Sequence, residues 1–383
     1  MDKSKYTRKI EKQVLKYIKR FSVTAILGAR QVGKSTLAKR IIGQYDKAIY
    51  LDMERESDRK KLTSPEDFFT HYKDYFICID EVQLYPNLFS TIRSIVDDYD
   101  THFLILGSSS TELLRQSSET LAGRIIYHKL TPFLYPEIQK DVSLKEYWQY
   151  GGFPQSILQK DREVSFTWIE NYVFTFLERD ISQLGLNVST ENLSRLWRML
   201  AYQNGQQLNY SQLAKSLGVS HATVRNHIDI LKYTFMVRLL EPYHTNLSKR
   251  LVKQPKVYLR DTGVLHTLLG IESHDQLYNH PIYGHSFETM VVENLIAMYP
   301  RWQAYYYRTS NGAEIDLLLV KGERKIAFEI KATSSPKLSR GFWSSLADLE
   351  ISEAYVIATI QEKYPLKNNV WVISFEEALQ LEL

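Results

Sequence analysis

The sequence predicts an α/β protein: a parallel sheet with crossover helices, then a helical region, then an α+β portion. Three observations carry this. Between Phe21 and Leu130, short apolar runs alternate with stretches of helical period. One of those runs enters a glycine-rich loop that opens a helix. After about Phe235 the β-branched and aromatic runs return, following a segment from Tyr135 to Leu231 whose apolar spacing is mostly helical.

The first region holds five expected strands: Val23 to Leu27, Ala48 to Leu51, Tyr75 to Ile79, Phe103 to Leu106 and Ile125 to Tyr127. The helical region is broken at Tyr150-Gly151-Gly152-Phe153-Pro154 and near Gly205. The last portion is expected to hold a helix at about His285 to Met298. Strands are expected at Tyr305 to Arg308, Ile315 to Val320 and Lys325 to Ile330. No internal repeat or low-complexity tract interrupts the chain.

Composition narrows the class. A chain of 383 residues is long enough for two or three domains at roughly 100–200 residues each. With 44% hydrophobic and 24% charged residues it is neither disordered, collagen-like nor a coiled-coil rod. A formal charge of +4 does not by itself identify a nucleic-acid partner. Cys78 is the only cysteine, which excludes an intrachain disulfide and a cysteine-rich zinc site and suits a reducing cytosol. The basic N-terminus from Met1 to Lys9 has no apolar run behind it. No stretch approaches the roughly 18 apolar residues of a membrane span. The expected location is cytoplasmic, with no membrane partner.

The strongest motif is Gly28-Ala29-Arg30-Gln31-Val32-Gly33-Lys34-Ser35, which matches G-x-x-x-x-G-K-[ST] between an apolar strand and a helix beginning Ser35-Thr36-Leu37. The glycines let the backbone wrap a triphosphate so that amide N–H groups and the helix N-terminus face the anion. Lys34 is placed to reach the β- and γ-phosphates of ATP, and the Ser35 hydroxyl to ligate Mg²⁺.

A second apolar run, Phe76-Ile77-Cys78-Ile79, ends in Asp80-Glu81. Asp80 suits the magnesium side, and Glu81 suits polarisation of the attacking water. A third run ends at Gly107-Ser108-Ser109-Ser110, where Ser108 or Ser109 would stand beside the γ-phosphate if the strands end at one edge. Arg124, in Leu121-Ala122-Gly123-Arg124, is open to two readings: completing a neighbouring subunit's site, or a structural ion pair.

These motifs, with Tyr150-Gly151-Gly152-Phe153-Pro154, make the chain resemble the P-loop AAA-type ATPases of bacteria and archaea that carry a C-terminal domain of unknown function. The resemblance implies Lys34 and Ser35 as nucleotide and magnesium contacts, Asp80 and Glu81 as the hydrolytic pair, and Ser108 as the sensor. It also implies a homo-oligomer.

Tyr210 to Ile228 has the spacing of two short helices meeting at Gly218, with Ser220 capping the second and Val224 and Ile228 inward. His221, Thr223, Arg225 and Asn226 then face partly outward, where a recognition helix would present them to a DNA groove. The runs Phe235 to Leu240 and Lys256 to Leu259 would supply a wing. Between Val219 and Arg260 there are eight basic residues (Arg225, Lys232, Arg238, Lys249, Arg250, Lys253, Lys256, Arg260) against two acidic ones, Asp229 and Glu241. The competing reading is a winged helix used for protein packing or as a lid extension.

Further on, Asp316 stands near the start of one expected strand and Glu329-Ile330-Lys331 at the end of the next. Alternation puts Glu329 and Lys331 on one face. Asp316 and Glu329 are then candidates to share a second divalent ion, with Lys331 orienting a water. Glu288 lies on the apolar stripe of a helix and needs a partner. The set resembles the restriction-endonuclease D…ExK pattern. Three readings stay open: a metal-dependent nuclease, an inactive relative that binds nucleic acid, and a surface charge pattern.

The expected architecture is a P-loop AAA-type core (1–130), a helical lid (131–205), a winged helix-turn-helix (206–262) and a restriction-endonuclease-like α+β domain (263–383). The expected function is Mg²⁺-dependent ATP hydrolysis associated with DNA. The alternatives are a nucleotide-switched protein-binding scaffold and an ATP-regulated endonuclease.

Overall fold

A computed structural model describes residues 6–108, 121–181, 188–244 and 252–383. Ser109, Lys249 and Arg250 lie outside the described residues. The chain divides into two compact units, residues 1–133 with 233–235, and residues 134–232 with 236–383.

The first unit is a parallel sheet of β1 (Val23–Leu27), β2 (Ala48–Asp52), β3 (Phe76–Asp80), β4 (Phe103–Gly107) and β5 (Ile125–Lys129), in the order β2-β3-β4-β1-β5. The three inner strands are buried along their whole length, whereas β2 and β5 at the edges are half-buried. The largely apolar runs of β1 (VTAIL), β3 (FICI before Asp80) and β4 (FLIL before Gly107) follow from burial on both faces of a parallel sheet. The expected strands therefore lie where the sequence put them, with ends shifted by a residue or two. Leu27 pairs with Gly107 and Ile79 with Ile105. This register brings Gly28, Asp80 and Ser108 to one edge of the sheet, where β1 lies between β4 and β5 and the strand order reverses.

The second unit begins with helices. A capping box between Ser143 and Glu146 starts the helix Leu144–Tyr150. That helix ends at Gly151, which has φ +69° and whose Cβ would lie 2.1 Å from Asp261 Oδ1. Asp261 Oδ2 accepts from Gly152 N at 2.7 Å, and Oδ1 accepts from Val264 N at 3.1 Å to cap the helix Thr262–Leu268. The glycine pair is thus a packing device that admits a buried carboxylate.

The helices Thr190–Tyr202, Tyr210–Leu217 and His221–Tyr233 precede an antiparallel ribbon of β6 (Val237–Leu240) and β7 (Lys256–Leu259). The helix Tyr283–Met298 then leads into β8 (Gln303–Arg308), β9 (Glu314–Lys321) and β10 (Arg324–Lys331), an antiparallel meander. The helix Arg340–Asp348 crosses over to β11 (Glu353–Ala358), parallel to β10, and β12 (Tyr364–Pro365) and β13 (Val370–Ile373) complete the sheet. Tyr307, Ile315, Leu318, Phe342 and Val356 are among its core residues. Among the described residues no helix is long and apolar enough to cross a membrane.

Candidate functional site

The phosphate loop needs its glycines for two different reasons. At Gly28 the reason is space, since a Cβ would lie 2.2 Å from Leu130 O. At Gly33 it is backbone conformation, since φ is +98° at the N-cap of the helix Lys34–Ile42. Gln31 also adopts positive φ, +63°. Ala29 and Val32 are buried, Arg30 and Ser35 are half-buried, and Gln31 and Thr36 are exposed. Lys34 is buried and its Nζ donates to Gly28 O and Ala29 O, both at 3.0 Å. Arg30 pairs with Glu54 at 2.8 Å.

Asp80 Oδ1 accepts from Glu81 N at 3.0 Å, and Oδ2 accepts from the Tyr50 hydroxyl. Burial and the bond to Asp80 push the Tyr50 phenol far up. Ser35, in the first turn of the helix that the loop opens, and Asp80, at the end of β3, are hard oxygen donors at the same edge of the sheet, a donor set that fits Mg²⁺.

Glu81 has φ +51°, a conformation that a non-glycine residue adopts at cost. Burial pushes its carboxyl up. The Lys34 ammonium, the bond from Gln83 and the Arg30 guanidinium outweigh this and hold the group below its ordinary value. Gln83 Nε2 donates both to Glu81 and, at 3.0 Å, to Ser108 Oγ. The two ends of the expected hydrolytic machinery are therefore joined by one amide.

Arg124 is bidentate to Asp97, with Nε to Oδ1 at 2.5 Å and Nη2 to Oδ2 at 2.9 Å. Its carbonyl accepts from Val23 N, at the start of β1. In its own chain it thus stands at the end of the strands opposite the phosphate loop.

Three residues of this site escaped the sequence reading: Tyr50, Gln83 and Arg8. Arg8 is buried and donates to Val32 O at 2.8 Å, Thr131 O at 2.6 Å and Pro132 O at 3.2 Å. A basic residue before the first strand gives no periodic signal; only Gln83, two residues past Glu81, was within reach of a local argument.

In the helical segment, Gly218 has φ +68°, Ser220 Oγ accepts from Thr223 N at 3.0 Å, and Val224 and Ile228 are buried. His221, Arg225 and Asn226 are exposed; Thr223 is half-buried, and its hydroxyl shares a 2.8 Å bond with Ser220 Oγ. One expectation needs correction. The basic residues from Val219 to Arg260 do not form one positive surface. Arg238 and Arg260 both pair with Glu293, and Lys256 is buried among carboxylates. Those three charges are neutralised inside the unit and are withdrawn from any polyanion.

The acidic constellation does come together. Lys331 Nζ lies 2.7 Å from Glu329 Oε1 and 3.6 Å from Asp316 Oδ2, which also accepts from Ile330 N at 2.9 Å. Glu288 has the partner it needed. Lys256 Nζ lies 3.2 Å from its Oε1, which also receives the Tyr258 hydroxyl at 2.5 Å, and His285 Nδ1 is 3.1 Å from its Oε2. Of these, Lys256, His285, Glu288, Asp316 and Lys331 line, with Gln207, a cleft of about 650 Å³. Burial pushes Glu288 up, but Lys256 and His285 outweigh it and hold the carboxyl down at about 2. Burial and the neighbouring Asp316 push Glu329 up to about 8.

Fold and loop together define a P-loop ATPase domain of the AAA type. A family described as AAA domain matches residues 20–139, and two domains of unknown function, DUF8612 and DUF4143, match residues 141–275 and 283–378. The uncharacterized protein Rv2008c of Mycobacterium tuberculosis is 36% identical over 362 residues, covering 94% of this chain and 81% of that protein. The uncharacterized protein MJ1544 of Methanocaldococcus jannaschii is 20% identical over 371 residues, covering 86% of this chain and 80% of that one. Among solved structures, the Walker-type ATPase of Pyrococcus abyssi aligns with 69% of this chain and 96% of its own at 14% identity and a TM-score of 0.48. The Aeropyrum pernix Orc1 protein, solved with DNA, aligns with 72% of this chain and 94% of its own at 13% identity and a TM-score of 0.30. The chain belongs to the family of AAA-domain proteins represented by Rv2008c.

Proposed function

We propose that the chain is a Mg²⁺-dependent ATPase in which Lys34, Ser35, Asp80, Glu81 and Ser108 perform the chemistry. One observation carries this reading: Gln83 joins Glu81 to Ser108 while the Tyr50 hydroxyl fixes Asp80, at the edge where the loop opens. The amides of residues 28 to 36 and Lys34 bind the phosphates. Ser35 and Asp80 hold Mg²⁺, which neutralises charge developing on the phosphates. Glu81, kept ionised beside Lys34, orients the attacking water, and Ser108 stands at the γ-phosphate. Glu81→Gln should retain ATP and stop turnover, whereas Lys34→Ala should lose nucleotide binding; turnover by Glu81→Gln equal to the parent would remove Glu81 from this role.

The domain reading that goes with it is a core over 1–130, a helical lid over 131–205, a winged helix-turn-helix over 206–262 and a restriction-endonuclease-like domain over 263–383. Support for the last is the helix, antiparallel meander and parallel crossover, with Asp316 and Glu329-x-Lys331 on adjacent strands beside Glu288. Exposed His221, Arg225 and Asn226 support DNA contact, and retention on duplex DNA should weaken as salt rises. A homo-oligomer, with Arg124 reaching a neighbour, requires the Asp97 pair to open. The ion pairs of Arg238, Arg260 and Lys256 favour a second reading, in which the helical segment serves as a nucleotide-switched scaffold and binds no DNA. Absence of DNA retention at low salt selects that reading. Plasmid nicking that vanishes in Asp316→Ala selects an ATP-regulated endonuclease instead.

A further inference from the structure

The Lys256 ammonium sits among three carboxylates, two of which, Glu288 and Asp316, belong to the nuclease-like set. Its Nζ is 2.8 Å from Glu314 Oε1, 3.2 Å from Glu288 Oε1 and 3.5 Å from Asp316 Oδ1. These are ammonium distances; a bound divalent ion draws carboxylate oxygens to about 2.0–2.6 Å. Only 3% of Lys256 is exposed, and a lysine is buried that deeply when its charge is matched in place.

The donors are already committed. Asp316 Oδ1 faces Lys256, and Oδ2 receives Ile330 N and Lys331. Glu288 receives Lys256 and Tyr258 on one oxygen and His285 on the other. Arg308 Nη1 holds Glu314 Oε2 at 2.9 Å. Among the described residues no group of three or more His, Cys, Asp or Glu side chains is arranged to hold a metal. As arranged, these residues do not fit a divalent ion. One acceptor stands apart: Glu329, only 6% exposed, has a buried Oε2 without a hydrogen-bond partner.

We propose that this cleft is a masked divalent-cation site, in which the Lys256 ammonium neutralises Glu288, Glu314 and Asp316 and excludes Mg²⁺ or Mn²⁺ until it is withdrawn. Lys256 is fixed in β7, opposite Leu240 of β6 and bridged to Gln207, so withdrawal is a displacement of that ribbon. The inference deepens the nuclease-like reading, yet its test reads metal binding and not cleavage.

The experiment titrates Mn²⁺ into full-length protein without nucleotide and follows free Mn²⁺ by electron paramagnetic resonance. The wild type and Asp316→Asn should deplete the signal equally, because the cleft takes no ion in either. Lys256→Met should take up one Mn²⁺ more than the wild type, with a matching rise in Tm, and Lys256→Met combined with Asp316→Asn should lose both effects. Mn²⁺ uptake by the wild type that depends on Asp316 overturns the proposal, and this arm decides even where Lys256→Met fails to fold. A folded Lys256→Met that gains no Mn²⁺ overturns it as well. Metal gained by Lys256→Met without nicking by either protein leaves the masked site standing and removes cleavage.

Discussion

The carbonyl oxygen of Leu130 lies 2.2 Å from where a Cβ on Gly28 would stand. Leu130 is held there because its own N–H donates to Leu27 O at 2.7 Å, extending the β1–β5 ladder by one residue. The obstacle is backbone, so it cannot rotate away. Gly28→Ala should therefore cost ~1–3 kcal/mol in forced backbone shifts and distort the loop that receives phosphate. Denaturant unfolding and nucleotide binding read the two effects separately; a variant with both unchanged would show that the strand yields freely.

Arg8 ties three carbonyls from two distant segments, Val32 in the loop and Thr131 and Pro132 after β5. Hydrogen bonds from a charged donor contribute about 1.5–3 kcal/mol each and are not additive, so Arg8→Ala should destabilise the first unit by roughly 3 kcal/mol. Arg8→Lys should recover little, because one ammonium cannot span the fork of a guanidinium. Urea unfolding of the three proteins tests this, and a fully stable Lys variant would refute the fork geometry.

Gln83 holds Glu81 and Ser108 with a single amide nitrogen. Gln83→Leu keeps much of the volume and removes both bonds, leaving Glu81 to wander. Turnover should fall about 10- to 100-fold, a fraction of what a positioned base contributes, while ATP affinity stays within about threefold. Turnover and affinity falling together would place Gln83 in nucleotide binding.

The sheet of the first unit was legible because parallel strands buried on both faces leave unbroken apolar runs, and the loop because phosphate chemistry dictates its glycines. Gly218 and Ser220 were legible as local turn and cap signals. Lys256 was not. Counted with its neighbours it looked like part of a basic face, whereas it pairs with Glu288, 32 residues on, across the fold. Nothing in strand alternation distinguishes a lysine bound for solvent from one drawn inward by three carboxylates. Arg8, Tyr50 and Arg238 illustrate the same gap, since their partners lie 24 to 124, 30 and 55 residues away. Tertiary pairing of charges has no period in sequence.

Glu329 gives the second unit a pH dependence of definite sign. Burial, then Asp316, pushes its carboxyl from 4.5 up to about 8, while Oε1 accepts from Lys331 at 2.7 Å. The folded state then binds the Glu329 proton more tightly than the unfolded chain. Its contribution to stability is complete below pH 4.5 and is lost as pH rises through about 8. Glu288 acts with the opposite sign: held at about 2, it contributes above pH 4.5 and loses its effect only in acid. Across neutral pH the Glu329 effect therefore stands alone of the two. Glu329→Gln, neutral at every pH, should melt close to the parent at about pH 5 and above it at about pH 8.5. Calorimetric scans of both proteins across that range check this, and parallel Tm profiles would mean that Glu329 is ionised in the folded protein throughout.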